Sequence, residues 1–317
     1  MPELPEVHTT VTMLHRLVQG KVIKSVWTDY KSTYHKGNEN IKDPKYFQKF
    51  VKAVSGKKII GVRRRAKNVL IDIEGESTIL IHMKMTGQLL YGVYKKILIP
   101  NIEILSKSKK LNSKSEKWIP RDSKSLLNDP LSRFIHLVFT LSDGKHLAFS
   151  DMRKFGTVML IPDKEALSKK FEKIGPEPLE KAFDWRALRA RLSRFPNGKT
   201  KTVLMNPEVI AGIGNIYSDE ILWLSGIHPE RKTKDLKEGE IKTILLATKK
   251  LLKKGIAFGG DSMSDYRNPL GEKGNFQNHH NAYRFTGKRC LKKDCGGKIT
   301  RKIVGGRSAH FCDRHQV

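Results

Sequence analysis

Cys290, Cys295 and Cys312 are the only cysteines in this 317-residue chain, and all three fall within its last 28 residues. Four residues separate the first two, sixteen separate the second from the third, and two separate Cys312 from His315. Two close pairs of soft ligands joined by a hairpin-length spacer is the arrangement of a small zinc ribbon. A unit this short buries too little apolar surface to hold its shape alone, so a metal would supply much of its folding energy. One structural zinc ion is therefore expected, held by Cys290, Cys295, Cys312 and His315. His310 competes for the fourth place, but His315 gives the tighter spacing. An odd, clustered set of cysteines argues against disulfides.

The rest of the chain is a polycation. Lys and Arg number 61 against 32 Asp and Glu, a net charge of +29. That excess goes beyond what solubility requires and points to a polyanionic partner. Nucleic acid is favoured over a membrane, because no apolar run approaches the roughly 18 to 20 residues needed to span a bilayer. No basic start followed by an apolar stretch marks a secretory leader, so a non-secreted protein is expected. The length implies two or more domains.

Pro5 to Gln19 has helical spacing at Val7, Val11, Leu14 and Val18, with Gly20 as its stop. Short β-type runs follow at 22–27, 58–64, 69–73, 79–83, 134–139 and 157–161, several separated by turn signals, which predicts a β-sandwich or barrel. The pattern breaks between Tyr94 and Pro130. There, SKSKKLNSKSEK at 106–117 fits no period and is expected to be a flexible, solvated loop. IGPEPLE at 174–180 marks a boundary. Beyond it, 184–195 and 238–255 are predicted helices, the second ending at Gly255.

Several stretches then fall into one order: MPELPEV at the start, RRRAKNVLI at 63–71, HMKMTGQL at 82–89, DMRKFG at 151–156, GPEPL at 175–179, GIGNIYSDEIL at 212–222 and the Cys-rich end. Together they resemble the formamidopyrimidine-DNA glycosylase family, which includes the endonuclease VIII-type enzymes. The resemblance implies a multidomain α+β fold. An N-terminal catalytic β-sandwich with flanking helices would cover 1–173, with 94–130 as an insertion. A helix–two-turn–helix DNA-binding domain would cover 180–275, and a zinc-finger β-hairpin 282–317. It also implies a monomer acting on double-stranded DNA with a flipped damaged base, cytoplasmic and nucleoid-associated in a bacterium or nuclear in a eukaryote.

In that family the initiator methionine is removed and the proline becomes the nucleophile. Pro2 would then be a secondary α-amine, and an α-amino group titrates near 8, leaving an appreciable unprotonated fraction at neutral pH. The resemblance makes Glu3 the general acid–base, and Glu6 a binder of a cationic or NH-bearing neighbour, either the damaged nucleotide or Pro2. Lys67, Asn215 and Arg307 would contact phosphates, with Lys67 and Arg307 also counted in the catalytic set. Lys201 is a further phosphate candidate. Flipping a base leaves a hole that wedge side chains fill, and Met85, Arg153 and Phe155 match the family's void-filling trio. The loop at 259–276, with Ser262 and Ser264, resembles the segment that closes over a flipped oxidised purine. It favours 8-oxoguanine and formamidopyrimidines over oxidised pyrimidines.

The chain departs from the family pattern in its longer first cysteine knuckle, its final histidine ligand, Met152 and Lys154 in DMRKFG, and His8 after the acidic tip. A pyrimidine-preferring relative and a non-catalytic nucleic-acid binder are the rival readings. The second has no need of Pro2 beside Glu3 and Glu6.

Overall fold

The computed structural model describes residues 1–30, 33–100 and 114–317. The first helix, α1 (Leu4–Val18), has Glu3 as its N-cap, and a reciprocal capping box joins Glu3 to Glu6. Strand β1 (Ile23–Thr28) and helix α2 (Pro44–Val54) follow, the latter capped by the Asp43 carboxylate on the Tyr46 N–H. Next come β2 (Ile59–Arg65), β3 (Asn68–Ile73), β4 (Thr78–His82) and β5 (Gly87–Gly92). After the insertion come β8 (Ile135–Leu141), β9 (His146–Asp151), β10 (Thr157–Ile161) and α3 (Lys164–Phe171).

Eight of these strands form two four-stranded antiparallel sheets, ordered β1-β8-β9-β5 and β10-β4-β3-β2. Their inner faces meet in one apolar core, onto which α1 packs Val7, Val11, Leu14 and Val18. The six runs expected as strands all lie in sheets. Two further strands, β5 and β9, carry no clear alternation to betray them. Every residue of β9 is buried, so its polar positions do not mark a solvent face.

The arms of the insertion correct the expectation of a loop. β6 (Tyr94–Pro100) and β7 (Lys114–Pro120) pair antiparallel as a hairpin. Trp118 anchors it against Trp27, with ring centroids 6.1 Å apart, and against His146 at 5.0 Å. Of the Ser/Lys-rich stretch, 114–117 is therefore strand, and 106–113 lies outside the described residues.

A second core gathers α4 (Trp185–Leu192), α5 (Thr200–Leu204), α6 (Asn215–Ser225) and α7 (Glu238–Ala257). Gly255 does not end α7 as expected. It lies inside the helix, where an added Cβ would sit 2.3 Å from the Tyr217 hydroxyl oxygen, and the helix runs on to Ala257. Leu4, at the start of α1, is fully buried in this second core and not in the first. The chain's first residues thus bridge the two halves.

The C-terminal unit is a hairpin of β11 (Ile299–Val304) and β12 (Arg307–Cys312). Gly305 and Gly306 both have positive φ, 56° and 73°, as a two-residue turn matched to strand twist requires. Arg307 is the first residue past that turn.

Candidate active site

The acidic tip is built around the start of α6. Glu3 directs its carboxylate at the N-terminal N–H groups of that helix, accepting from Gly214 (2.6 Å), Ile216 (2.9 Å) and Tyr217 (3.3 Å). An anion there meets unsatisfied donors and the positive end of the helix dipole. A Cβ on Gly214 would lie 2.4 Å from the Glu3 carboxyl carbon, so only glycine leaves room. Gly212 of the same GIGN run makes room for Leu4 instead, and the anion at this helix start is intramolecular. Pro2, next to it, is buried and lines a small cavity with Glu6, Met85, Ser264 and Tyr266.

Glu6 is buried and its oxygens are occupied. Oε2 accepts the Glu3 N–H at 2.7 Å, while Oε1 accepts from the Asp261 N–H at 2.8 Å and the Tyr217 hydroxyl at 3.1 Å. The NH-bearing neighbours expected for Glu6 are thus backbone groups of the protein itself. Burial, with the nearby Glu3 charge, pushes its carboxyl up to about 7. Loss of water and the same carboxylates also raise the Tyr217 phenol well above its ordinary value.

Lys67 stands opposite, in the two-residue turn joining β2 to β3. Its Nζ donates to the Ile213 carbonyl at 2.7 Å. Burial pushes this ammonium below the usual lysine value, and Arg307 acts in the same direction, opposed by the Glu3 and Glu6 charges. The turn is held by a residue to which the sequence assigned no contact. Glu177 of GPEPL accepts the Ala66 N–H (2.6 Å) and pairs with Arg64 (2.5 Å) and Arg65 (3.0 Å). Burial alone would raise its carboxyl, but Arg64 and the other donors hold it below the usual range. An acidic residue in GPEPL and the RRRAK turn were the available signals; their pairing was not.

Glu3, Lys67, Met85, Asn215, Ser264 and Arg307 all line one open cleft of about 960 Å³. Met85 and Phe155 are 37 % and 51 % exposed. Arg153 lies over the Phe155 ring, 4.6 Å from its centroid. The two turns carrying this trio are tied by groups the sequence did not single out. Thr86 donates to Asp151 at 2.6 Å and accepts the Arg153 N–H at 3.1 Å, and Asp151 also accepts the Gly156 N–H.

Two expected contacts are corrected by the structure. Lys201 is fully buried, its Nζ 2.5 Å from Asp219 and 3.0 Å from the Ser218 hydroxyl, so burial and an intramolecular carboxylate remove it from the phosphate-facing surface. The Ser262 hydroxyl is likewise occupied within its loop, donating to the Tyr266 carbonyl and accepting the Gly274 N–H.

At the C-terminal end, ligand atoms of Cys290, Cys295, Cys312 and His315 all lie within 4.8 Å of one another. Cys295 and Cys312 sulfurs are 3.4 Å apart, and the His315 Nδ1 is 3.4 Å from Cys290 Sγ. A tetrahedron with bonds of roughly 2.0–2.3 Å has edges close to these, so the four residues could hold a metal ion. The His315 Nε2 is 2.9 Å from the Trp223 carbonyl, an outer contact that leaves Nδ1 free to ligate. His310, the rival, is turned away: its Nδ1 lies 2.9 Å from Asp219.

Comparison with known proteins agrees along the whole chain. The profile of the formamidopyrimidine-DNA glycosylase N-terminal domain matches residues 1–158, and that of the formamidopyrimidine-DNA glycosylase H2TH domain matches 174–267. The formamidopyrimidine-DNA glycosylase of Bacillus subtilis is 33 % identical over 100 % of this chain and 99 % of its own. That of Pediococcus pentosaceus is 34 % identical with the same coverage. A Lactococcus lactis Fpg solved with abasic-site DNA superposes with a TM-score of 0.77, at 30 % identity and 99 % coverage of both chains. The wild-type Lactococcus lactis Fpg bound to N7-benzyl-Fapy-dG DNA gives 0.77 at 31 %, again covering 99 % of each. Fold and site define a DNA glycosylase of base-excision repair. The chain belongs to the formamidopyrimidine-DNA glycosylase family.

Proposed function

We propose that this protein removes oxidised purines, 8-oxoguanine and formamidopyrimidines, from double-stranded DNA and then cuts the strand as a lyase, with Pro2 as nucleophile once Met1 is removed. The Pro2 nitrogen attacks C1′ of the damaged nucleotide. The glycosidic C–N bond breaks, and the base leaves with the electron pair and a proton. Opening of the sugar ring gives an iminium link between Pro2 and C1′. That link acidifies C2′–H, so loss of this proton breaks the C3′–O bond, and a second elimination releases the 5′ phosphate.

Glu3 beside Pro2 is the proton donor and acceptor for the sugar oxygen. Its anchoring on the Gly214, Ile216 and Tyr217 N–H groups fixes where that proton transfer happens. Lys67, Asn215 and Arg307, around the same cleft, contact the phosphates flanking the lesion. Met85 and Phe155 enter the stack vacated by the flipped base, while Arg153 bonds to the orphaned partner. Glu6 and Ser264 face the extruded base. Zinc in the Cys3His cluster would give the hairpin its shape and so aim Arg307. The protein works as a monomer in the compartment that holds the genome. Among the described residues no helix is long and apolar enough to cross a membrane.

The observation that carries this reading is the meeting of Glu3, Lys67 and Arg307 in one cleft beside Pro2. Borohydride trapping on a duplex with one 8-oxoguanine opposite cytosine tests it, because reduction freezes the iminium. A covalent adduct mapped to Pro2 is expected. Tight binding with no adduct would turn the reading to a non-catalytic binder. An adduct formed only on an oxidised pyrimidine would keep the mechanism and replace the substrate.

A further inference from the structure

The segment 261–273 leaves the helical unit and crosses onto the N-terminal sheets, where it is fixed at two separate places. Its first anchor is the acidic tip. Asp261 N–H bonds to Glu6, and the buried Tyr266 donates its hydroxyl to the Glu6 carbonyl at 3.0 Å. Its second anchor lies on residues at and beside the two ends of the 94–130 stretch. The Arg267 guanidinium makes two bonds to Asp129 Oδ2, from Nε at 3.0 Å and Nη2 at 2.9 Å. The arginine side chain is 4 % exposed and the aspartate 20 %. Asp129 is itself oriented by the Leu131 N–H at 2.9 Å. Beside it, Gln88 is fully buried on β5, donates to the Asp265 carbonyl and accepts the Ser132 hydroxyl at 2.9 Å. The Tyr91 N–H closes the clasp on the Pro269 carbonyl at 2.7 Å.

Met263 and Ser264 lie between Asp261 and Asp265, the held positions on either side. Ser264 and Asp265 wall the cavity that also contains Pro2, Glu6 and Met85. That cavity holds about 20 Å³, room for roughly one water molecule and far too little for a purine. Met1, which shares the lining, leaves in the proposed mechanism, and Ser264 and Asp265 are part of the wall carried on the crossing segment. We propose that Asp129 and Gln88 are positioning residues for the wall: through Arg267 and the Asp265 carbonyl they hold the far end of the segment on the N-terminal sheets, so that Met263 and Ser264 alone give way to a base and then close on it. The proposal rests on the glycosylase reading above. It assigns the border of the insertion a part in base excision, and none in cleavage at a site that has already lost its base.

The test compares two substrates in single-turnover assays: a duplex with 8-oxoguanine, and the same duplex with a preformed abasic site. Asp129→Asn keeps the shape and removes the charge that Arg267 pairs with. Base excision is expected to slow on the order of tenfold, the scale of one lost charge-assisted bond, while abasic-site cleavage stays within about twofold. The exchange Asp129→Arg with Arg267→Asp should restore much of the lost excision. Equal losses on both substrates, or no loss on either, would overturn the proposal. A wild-type protein inert on every damaged-base duplex would overturn the glycosylase reading instead, and that result is seen before any variant is made.

Discussion

The acidic tip and the exposed edge formed by Met85, Arg153 and Phe155 meet at the cleft through Met85 but are built in opposite ways. At the tip, Glu3 and Glu6 are almost wholly buried, and their oxygens are engaged by N–H or O–H donors of the protein. At the edge, two large apolar side chains stand in solvent, and their fixed parts are the turns beneath them, tied by Thr86 and Asp151. In the proposed mechanism the tip is preorganised for proton transfer, which tolerates little error in position. The edge leaves apolar surface uncovered until a partner covers it. On that proposal, chemistry is placed where the protein supplies the partners, and recognition where DNA must supply them.

The largest expected effect breaks the tip alone. Glu3→Gln keeps an acceptor for the α6 N–H groups but cannot act as an acid–base, so base excision should fall on the order of a thousandfold. Lesion-duplex affinity, measured by anisotropy, should remain near wild type. A comparable loss of binding would mean that Glu3 acts mainly by holding the two halves together.

Metal removal strikes neither region directly and so separates them from the hairpin. Chelation should unfold the C-terminal unit and weaken duplex binding by a hundredfold or more, with Trp223 emission reporting the change because its indole Nε1 lies 3.3 Å from Cys290 Sγ. The sandwich core should melt as before. Chelated protein that binds duplex as before would count against the structural metal.

Glu6 gives the tip a pH signature. Its carboxyl is raised from 4.5 to about 7 in the folded chain, so between these values the native state holds a proton that the unfolded state has lost. Stability contributed this way is full below about 4.5 and disappears as pH rises through 7, on the order of 3 kcal/mol in all. Urea midpoints should fall from pH 5 to pH 8 in the wild type, and less steeply in Glu6→Gln. Parallel slopes would remove Glu6 as the source.

The smallest effect on folding is expected at the edge. Met85→Ala or Phe155→Ala should shift stability by less than about 0.5 kcal/mol, since neither side chain is buried. Excision from a duplex should nevertheless slow about tenfold, and base removal from a single strand should hardly change. A large drop in melting temperature would place these residues in the core, against their exposure.

Much of this was legible in the chain. The hydrophobic periods gave α1, six of the strands and the long α7, and the spacing of Cys290, Cys295, Cys312 and His315 gave the cluster found at the C-terminal end. What stayed hidden depends on pairings across distance. A sequence shows that Lys201 is a cation but not that Asp219 lies beneath it, and it shows Gly214 but not that Glu3 fills the space a side chain would need. Glu177 reads as one acid in a turn until the fold sets it against Ala66, Arg64 and Arg65. Strands β5 and β9 escaped because nearly complete burial erases the alternation that exposes other strands.

Leu4 and Glu3 have a final consequence, which concerns the order in which the chain is made. They complete a core and cap a helix whose other parts, Gly212 to Tyr217, emerge from the ribosome some two hundred residues later. At usual synthesis rates of about 5–20 residues per second, the amino terminus waits roughly ten to forty seconds without its resting place. During that interval the first turn of α1 has no cap site to fill, and only once translation passes Tyr217 can Glu3 and Leu4 dock. The earliest moment at which the two halves can join is therefore set by the distance along the chain between the first helix and the sixth.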